Sequence, residues 1–262
     1  MSRTPTEVAD AVSEVFRGVF DQLAAWRTPI EQLLAASAGG VGAAAGGTGA
    51  GASSGEVRPV TLDTTVADLV LPRLEEDDPM LVGAGFIADG EVVRGKGVHF
   101  AWWLGPLDDN PVLGSTDGPT RLDLSTRGYT EYLRDFRALE WYRIPATTRH
   151  AHVTGPYVDH LCTCDYILTL TAPVTVGGTM AGVVGADLLV RRLERDALPL
   201  MRAVGAPAVL LSAAGRVVVS TDPSLPVGTL AAPDAAPAAG PGLRGAFACP
   251  GTNLKIMVEK VP

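Results

Sequence analysis

The sequence predicts an α+β chain in which a long N-terminal helix precedes two antiparallel-sheet units, the second smaller than the first. Three observations carry this reading. Val8, Val12, Val15, Val19, Leu23 and Trp26 recur every three or four residues, the spacing of one apolar helical face. Tyr166 to Val176 and Met180 to Leu189 are long apolar runs separated by Gly177-Gly178, a pattern of paired strands with a tight turn. Near the C-terminus, Ala208 to Ser212 and Val217 to Ser220 flank Ala-Ala-Gly-Arg as a second hairpin.

Taken in order, residues 1–37 hold the N-terminal helix, running from about Thr6 to Ala36, with Thr4-Pro5 as its start signal and a bend expected at Pro29. The apolar stripe is longer than one small domain usually needs to cover, which predicts a homodimer through this helix. Residues 38–55 are almost entirely Ala, Gly, Ser and Thr and read as a flexible linker. The first sheet unit occupies 56–205. It opens with a helix from Thr61 to Leu74, followed by strands at Leu81 to Ile87, Glu91 to Val93 and Val98 to Leu104, broken at Asp89-Gly90. Tyr129 to Trp141 is polar and aromatic with mixed period, and Tyr157 begins the strand ribbon. A helix from about Leu188 to Val204 places Leu193, Leu198 and Met201 on one face and Arg191, Arg192 and Arg195 on another. The smaller unit, 206–262, adds strands at Ala246 to Ala248 and Lys255 to Glu259.

Composition narrows the function. With 262 residues the chain is long enough for a sizeable core, and 47% hydrophobic with 19% charged residues excludes disorder for the chain as a whole. A net charge of -8 argues against nucleic acid and favours cations. No apolar run reaches the roughly 18 residues of a membrane span, and Met1 to Arg27 is amphipathic rather than signal-like, so neither a span nor a signal peptide is predicted. Three cysteines, Cys162, Cys164 and Cys249, make no disulfide framework and suit a reducing compartment, which predicts a cytoplasmic setting.

Enzyme chemistry finds little to stand on. His150, His152, His160, Cys162 and Cys164 form the cluster that suggests a metal, and strand alternation would place His160, Cys162 and Cys164 on one face. Their spacing makes no Cys-x-x-Cys pair, and a metal-dependent hydrolase built on them is the minor alternative. Gly39 to Gly55 is low complexity rather than a strand-to-helix turn, and no phosphate-binding Gly-rich loop or His-Glu-x-x-His occurs. The expectation is a protein that is not an enzyme and uses no cofactor.

The most specific pattern is the succession Gly155-Pro-Tyr-Val-Asp159, Tyr166-Ile-Leu-Thr-Leu-Thr-Ala-Pro-Val174 and Gly182-Val-Val-Gly-Ala-Asp187. It resembles the central sheet of double Cache sensor domains, and the likeness extends to the long first helix and two PAS-like units. The resemblance implies a small-molecule sensor that signals to a separate partner. In the amino-acid-binding branch the pocket is marked by a Tyr-Asp-Pro-Arg-x-Arg-x-Trp-Tyr run, a downstream Tyr-x-Asp and an Asp closing the Gly-x-Asp strand. Here the first element reads Arg134-Asp-Phe-Arg137-Ala-Leu139-Glu-Trp141-Tyr142, so Leu139 stands where that branch places the arginine gripping the ligand carboxylate. Tyr157, Asp159 and Asp187 match the remaining elements. An amine-sensing branch is similar in keeping the acids and aromatics without the clamp.

The residue types support a cation site independently. Carboxylates orient an ammonium group by charge-assisted hydrogen bonds, and aromatic faces attract positive charge. Asp159, Asp187, Trp141, Tyr142 and Tyr157 supply them; Val183, Gly185 and Asp187 share one strand face, with Gly185 expected to leave room for a ligand. Asp187 is equally the type of residue that caps a following helix, and Trp141-Tyr142 the type that fills cores. Trp102 and Trp103 point to opposite faces of one strand, and Trp103 is taken as the pocket residue. Arg134, Arg137 or Arg143 would supply a displaced carboxylate partner if the ligand were an amino acid. The partners expected are therefore a small amine or amino acid and a transcription regulator or other signalling protein.

Overall fold

The computed structural model describes residues 3–39, 56–94, 97–110, 114–122, 136–160, 163–231 and 243–259. Most of the expected linker, residues 40–55, lies outside them, as do Arg134 and Cys162. Helix α1 spans Pro5–Gly39 and continues through Pro29. A reciprocal cap starts it: Thr4 Oγ1 accepts from the Glu7 amide at 3.3 Å, and the Glu7 carboxylate accepts from the Thr4 amide at 2.8 Å.

Helix α2 (Pro59–Leu74) is followed by strands β1 (Leu81–Asp89), β2 (Val98–Leu104), β3 (Leu107–Asn110), β4 (Gly114–Thr116) and β5 (Thr120–Arg121). Glu91 to Val93 is not a strand: Gly90–Val92 forms a 3-10 turn entered through Gly90 at φ 63°, and only Val93 bridges, to Val57. Helix α3 (Glu140–Thr148) precedes β6 (His152–Val158), β7 (Tyr166–Val176), β8 (Thr179–Leu189) and α4 (Val190–Arg202). The α4 helix begins after Leu189 because Leu188 and Leu189 remain in register with Leu168 and Ile167 of β7. The second unit contains β9 (Ala208–Leu211), β10 (Val217–Ser220), β11 (Leu243–Ala248) and β12 (Lys255–Glu259).

The large sheet is antiparallel with strand order β5-β2-β1-β8-β7-β6, and the second sheet runs β10-β9-β12-β11. Strand alternation sorts the large sheet's two faces. Ala84, Phe86, Ala101, Trp103, Leu168, Leu170, Val184 and Ala186 face α1 and α2, whereas Ile87, Trp102, Leu104, Ile167 and Val183 face α3, joined by Val82 where an irregularity between Leu81 and Gly83 breaks the alternation. The α1 stripe is consumed here: Val8, Val12, Phe16, Val19, Leu23, Trp26, Ile30 and Leu34 are buried against the chain's own sheet and α2. The apolar stripe from which a homodimer is expected is thus buried within the chain itself. Among the described residues no helix is long and apolar enough to cross a membrane.

The second unit attaches to the edge strand β6. The Asn253 side chain accepts from the Val153 amide at 3.0 Å and donates to the Val153 carbonyl at 2.9 Å, completing the edge as another strand would. Leu23, fully buried in the middle of α1, tests the packing of that helix. Leu23→Ala is expected to destabilise by about 2–5 kcal/mol, measured by denaturant unfolding; a change within about 0.5 kcal/mol would show that α1 does not cover the sheet.

Candidate functional site

The face of the large sheet opposite α1 borders a cavity of about 830 Å³, closed by the start of α3, the end of β6 and the turn between β9 and β10. Its floor is set by register. Asp187 pairs with Thr169 on one side and Gly83 on the other, and Thr169 pairs in turn with Thr154. In the adjacent row Gly185 pairs with Thr171 and Gly85, and Gly85 with Trp102. A side chain on Gly85 would bring its Cβ within 2.2 Å of the Ala101 carbonyl oxygen, and one on Gly185 would stand 3.3 Å from the Trp102 ring. The space beside Gly185 is therefore taken by the Trp102 indole and the Thr171 methyl, both residues of the cavity wall. Gly83 does similar work, since a Cβ there would lie 3.0 Å from the indole nitrogen and 3.4 Å from Asp187 Oδ2.

Asp187 is 8% exposed and accepts a 2.6 Å hydrogen bond from Thr169 Oγ1. Thr169 has its single proton committed to Asp187, so the 2.5 Å contact with Tyr157 is one in which the phenol donates. The result is a chain from Tyr157 through Thr169 to Asp187. Asp159 is as deeply buried, and its Oδ2 accepts from the Thr163 amide at 3.0 Å and from its hydroxyl at 3.2 Å. Burial, reinforced by the charge of Asp159 and opposed by the Thr169 hydrogen bond, pushes the Asp187 carboxyl up to about 8. The surroundings therefore favour the protonated form of Asp187.

No family model and no curated protein matches the sequence. Solved structures do match it over nearly its full length. A methyl-accepting chemotaxis protein X superposes with a TM-score of 0.59 at 15% identity, over 97% of this chain and 95% of the other. The ligand-binding domain of the Pseudomonas aeruginosa amino-acid chemoreceptor PctC, in complex with GABA, gives 0.55 at 19% identity over 98% and 96%. That of the Pseudomonas fluorescens chemoreceptor CtaA, in complex with L-valine, gives 0.52 at 19% identity over 98% and 94%. The chain has the double Cache fold.

Within the double Cache frame, four of the residues singled out in the sequence meet at the cavity: Trp141, Tyr157, Asp159 and Asp187. Two do not. Trp103 lies on the helix-facing side of β2, packed in the main core, and its neighbour Trp102 takes the cavity side. Tyr142 is buried behind α3 with its hydroxyl donating to Asp89, which also pairs with Arg137, while its ring meets Phe136 edge-on at 4.9 Å. Tyr142 therefore anchors the helix that carries Trp141, whose carbonyl accepts from Thr171 Oγ1 at 2.8 Å. Leu139 is on the wall. Arg137 is committed to Asp89, and Arg143 is exposed on α3 and does not line the cavity. Of the proposed metal cluster, His152 pairs with Glu140 at 2.8 Å, His160 is on the cavity rim, and His150 and Cys164 are exposed. Among the described residues no group of three or more metal-binding side chains assembles.

Thr154, Trp102, Thr169 and Arg216 complete the wall and were not singled out in the sequence. Trp102 was recoverable in principle, because the Gly-x-Gly of β1 calls for a bulky partner on the same face. Arg216 belongs to the second unit and carried no signal.

The buried carboxyl sets a pH dependence. Its folded value of about 8 lies above the ordinary 3.8, so the folded state holds this proton more tightly than the unfolded chain. Its contribution to stability is complete below the ordinary value and is lost as pH rises toward 8. Asp187→Asn mimics the protonated acid and should raise the melting temperature more at pH 8 than at about pH 5. An equal change at both values would show that Asp187 is ionised in the empty site.

Proposed function

We propose that this domain senses a small ammonium-bearing metabolite, held by Asp187 and Asp159 with Trp141, Tyr157 and Trp102 around it, and reports occupancy to a separate signalling protein such as a transcription regulator. One observation carries the reading. Asp187 is a buried carboxyl on the wall of a cavity, shifted by desolvation and by the neighbouring Asp159, and among the described residues no cationic side chain is paired with it. A ligand ammonium supplies the missing countercharge, and the aromatic faces add attraction without adding hydrogen-bond acceptors. The size of the cavity suits a metabolite.

The likeness supports a sensor rather than an enzyme: the superposed structures are chemoreceptor domains, and GABA and L-valine, the molecules bound in two of them, both carry an ammonium group. Leu139 supplies an apolar surface at the wall, which argues against recognition of an α-carboxylate beside the ammonium. An amine without an α-carboxylate is expected to bind better than the corresponding α-amino acid.

Calorimetry with paired amines and α-amino acids tests this directly. Binding a cation at Asp187 must displace its proton, so affinity should fall about tenfold for each pH unit below about 8. Asp187→Asn should cost on the order of 2–5 kcal/mol of binding. Tight binding of an α-amino acid with no binding of its decarboxylated amine would overturn the amine reading.

A further inference from the structure

The Trp102 indole carries one polar atom, and the fold aims it. Trp102 stands opposite Gly85 of β1, and its ring crosses that strand toward β8 over a bed of glycines. A Cβ on Gly185 would meet the ring at Cη2, 3.3 Å away, whereas one on Gly83 would meet it at Nε1, 3.0 Å away. Gly83 is the residue paired with Asp187, and the same Cβ position lies 3.4 Å from Asp187 Oδ2. The indole N–H and the second carboxyl oxygen are thus both neighbours of one point above Gly83, and one small ligand group can reach the two together.

Neither atom is used within the chain. Asp187 receives the Thr169 hydrogen bond at Oδ1, and among the described residues neither Asp187 Oδ2 nor the Trp102 N–H has a partner. Both atoms are also accessible: among the described residues, the side-chain N and O atoms that are at once unpartnered and sealed from solvent belong to Arg27 and Thr154, and Asp187 and Trp102 both line the cavity. An ammonium group by itself cannot answer the pair. It has only donors, so it satisfies Oδ2 and leaves the indole N–H facing another donor. The N–H calls for an acceptor on the ligand, close beside the ammonium.

Resting on the ammonium site proposed above, we propose that Trp102 is a specificity-determining residue and that the ligand is a vicinal amino alcohol, its ammonium on Asp187 Oδ2 and its hydroxyl oxygen on the indole N–H. A hydroxyl on the carbon next to the amine carbon is the shortest way to set an acceptor beside an ammonium without adding charge. An α-carboxylate also offers acceptors, but it brings a negative charge next to Asp159, and the apolar Leu139 on the wall gives it no hydrogen bond. Trp102 then has two separable roles: its ring face supports any cation, and its N–H edge selects the hydroxyl.

The test uses three compounds that share one side chain: L-valinol, isobutylamine, which lacks the hydroxymethyl group, and L-valine, which has a carboxylate in its place. Titration calorimetry of the full chain should show valinol binding about fivefold more tightly than isobutylamine, the increment of one neutral hydrogen bond, with valine weakest. Trp102→Phe keeps a ring beside the cation but removes the donor, so the preference for valinol over isobutylamine should vanish even if both bind more weakly. The indole N–H signals of the unaltered protein give a second readout that needs no substitution: valinol should shift the Trp102 signal downfield, and isobutylamine should move it far less. Isobutylamine binding as tightly as valinol, a valinol preference that survives Trp102→Phe, or a Trp102 N–H signal that responds equally to both amines would each overturn the role of Trp102 while leaving the ammonium site standing. Valine binding more tightly than valinol would show the N–H receiving a carboxylate and would overturn the amino alcohol. If none of the three binds, the ammonium reading fails and this inference fails with it.

Discussion

A carboxyl group placed near the middle of a six-stranded sheet has to be accommodated by everything around it. Asp187 sits on β8 with neighbouring strands on both sides, so water reaches it only through the cavity. An isolated carboxylate there is costly, and the surroundings reduce that cost in two ways: the group holds its proton, and Thr169 donates to it. The strands beside it cannot be filled like an ordinary core. On this face β1 presents Gly83 and Gly85, β8 presents Gly185, and β7 presents Thr169 and Thr171. The small and polar patch is what leaves a cavity instead of a packed interior.

The opposite face shows what the same strands do without an acid. Val184, Ala186 and Leu188 of β8 alternate with Val183, Gly185 and Asp187, and their side is dry and fully covered by α1 and α2. Helix α1 covers this side of the large sheet and runs on against α4 and the strands β11 and β12 of the second unit, so its apolar stripe is used up within one chain. The aromatic residues divide along the same line. Trp103 belongs to the dry side, whereas Trp102 spreads over the glycines and forms part of the chamber's floor.

Most strands were legible in the sequence because they obey a simple period and end at glycine turns. Both strands of the β7–β8 ribbon, with Gly177-Gly178 between them, are the clearest case. The limits of this legibility are physical. Leu188-Leu189 suits a strand and a helix equally, and only pairing with β7 decides between them. Alternation shows that Trp102 and Trp103 face opposite ways, but which one lines the cavity depends on the β1–β2 register, a non-local fact. Trp141 and Tyr142 are neighbours with different duties for a similar reason: Asp89, which holds Tyr142 in place, is 53 positions away. Asp159 and Asp187, which line the cavity, were singled out because a family pattern marks them, whereas the unpartnered hydroxyl of Thr154 is a property of packing that no pattern records.

The protonated state of Asp187 has a consequence for selectivity. Burial and the neighbouring Asp159 favour the proton on Asp187, and a bound proton relieves the repulsion that two ionised acids would impose. A cation that enters exchanges with the proton, and the number of charges held by Asp187 and its partner together returns to zero. A neutral molecule of the same shape makes no such exchange; it meets an acid already satisfied by its own proton and by Thr169, and gains only hydrogen bonds and contact area. An anion would be repelled by the charge of Asp159, the same charge that favours the proton on Asp187. Under the proposed reading the buried acid discriminates by charge before shape is considered, and the hydrogen bond from Thr169, itself in contact with the Tyr157 hydroxyl, keeps the carboxyl oriented.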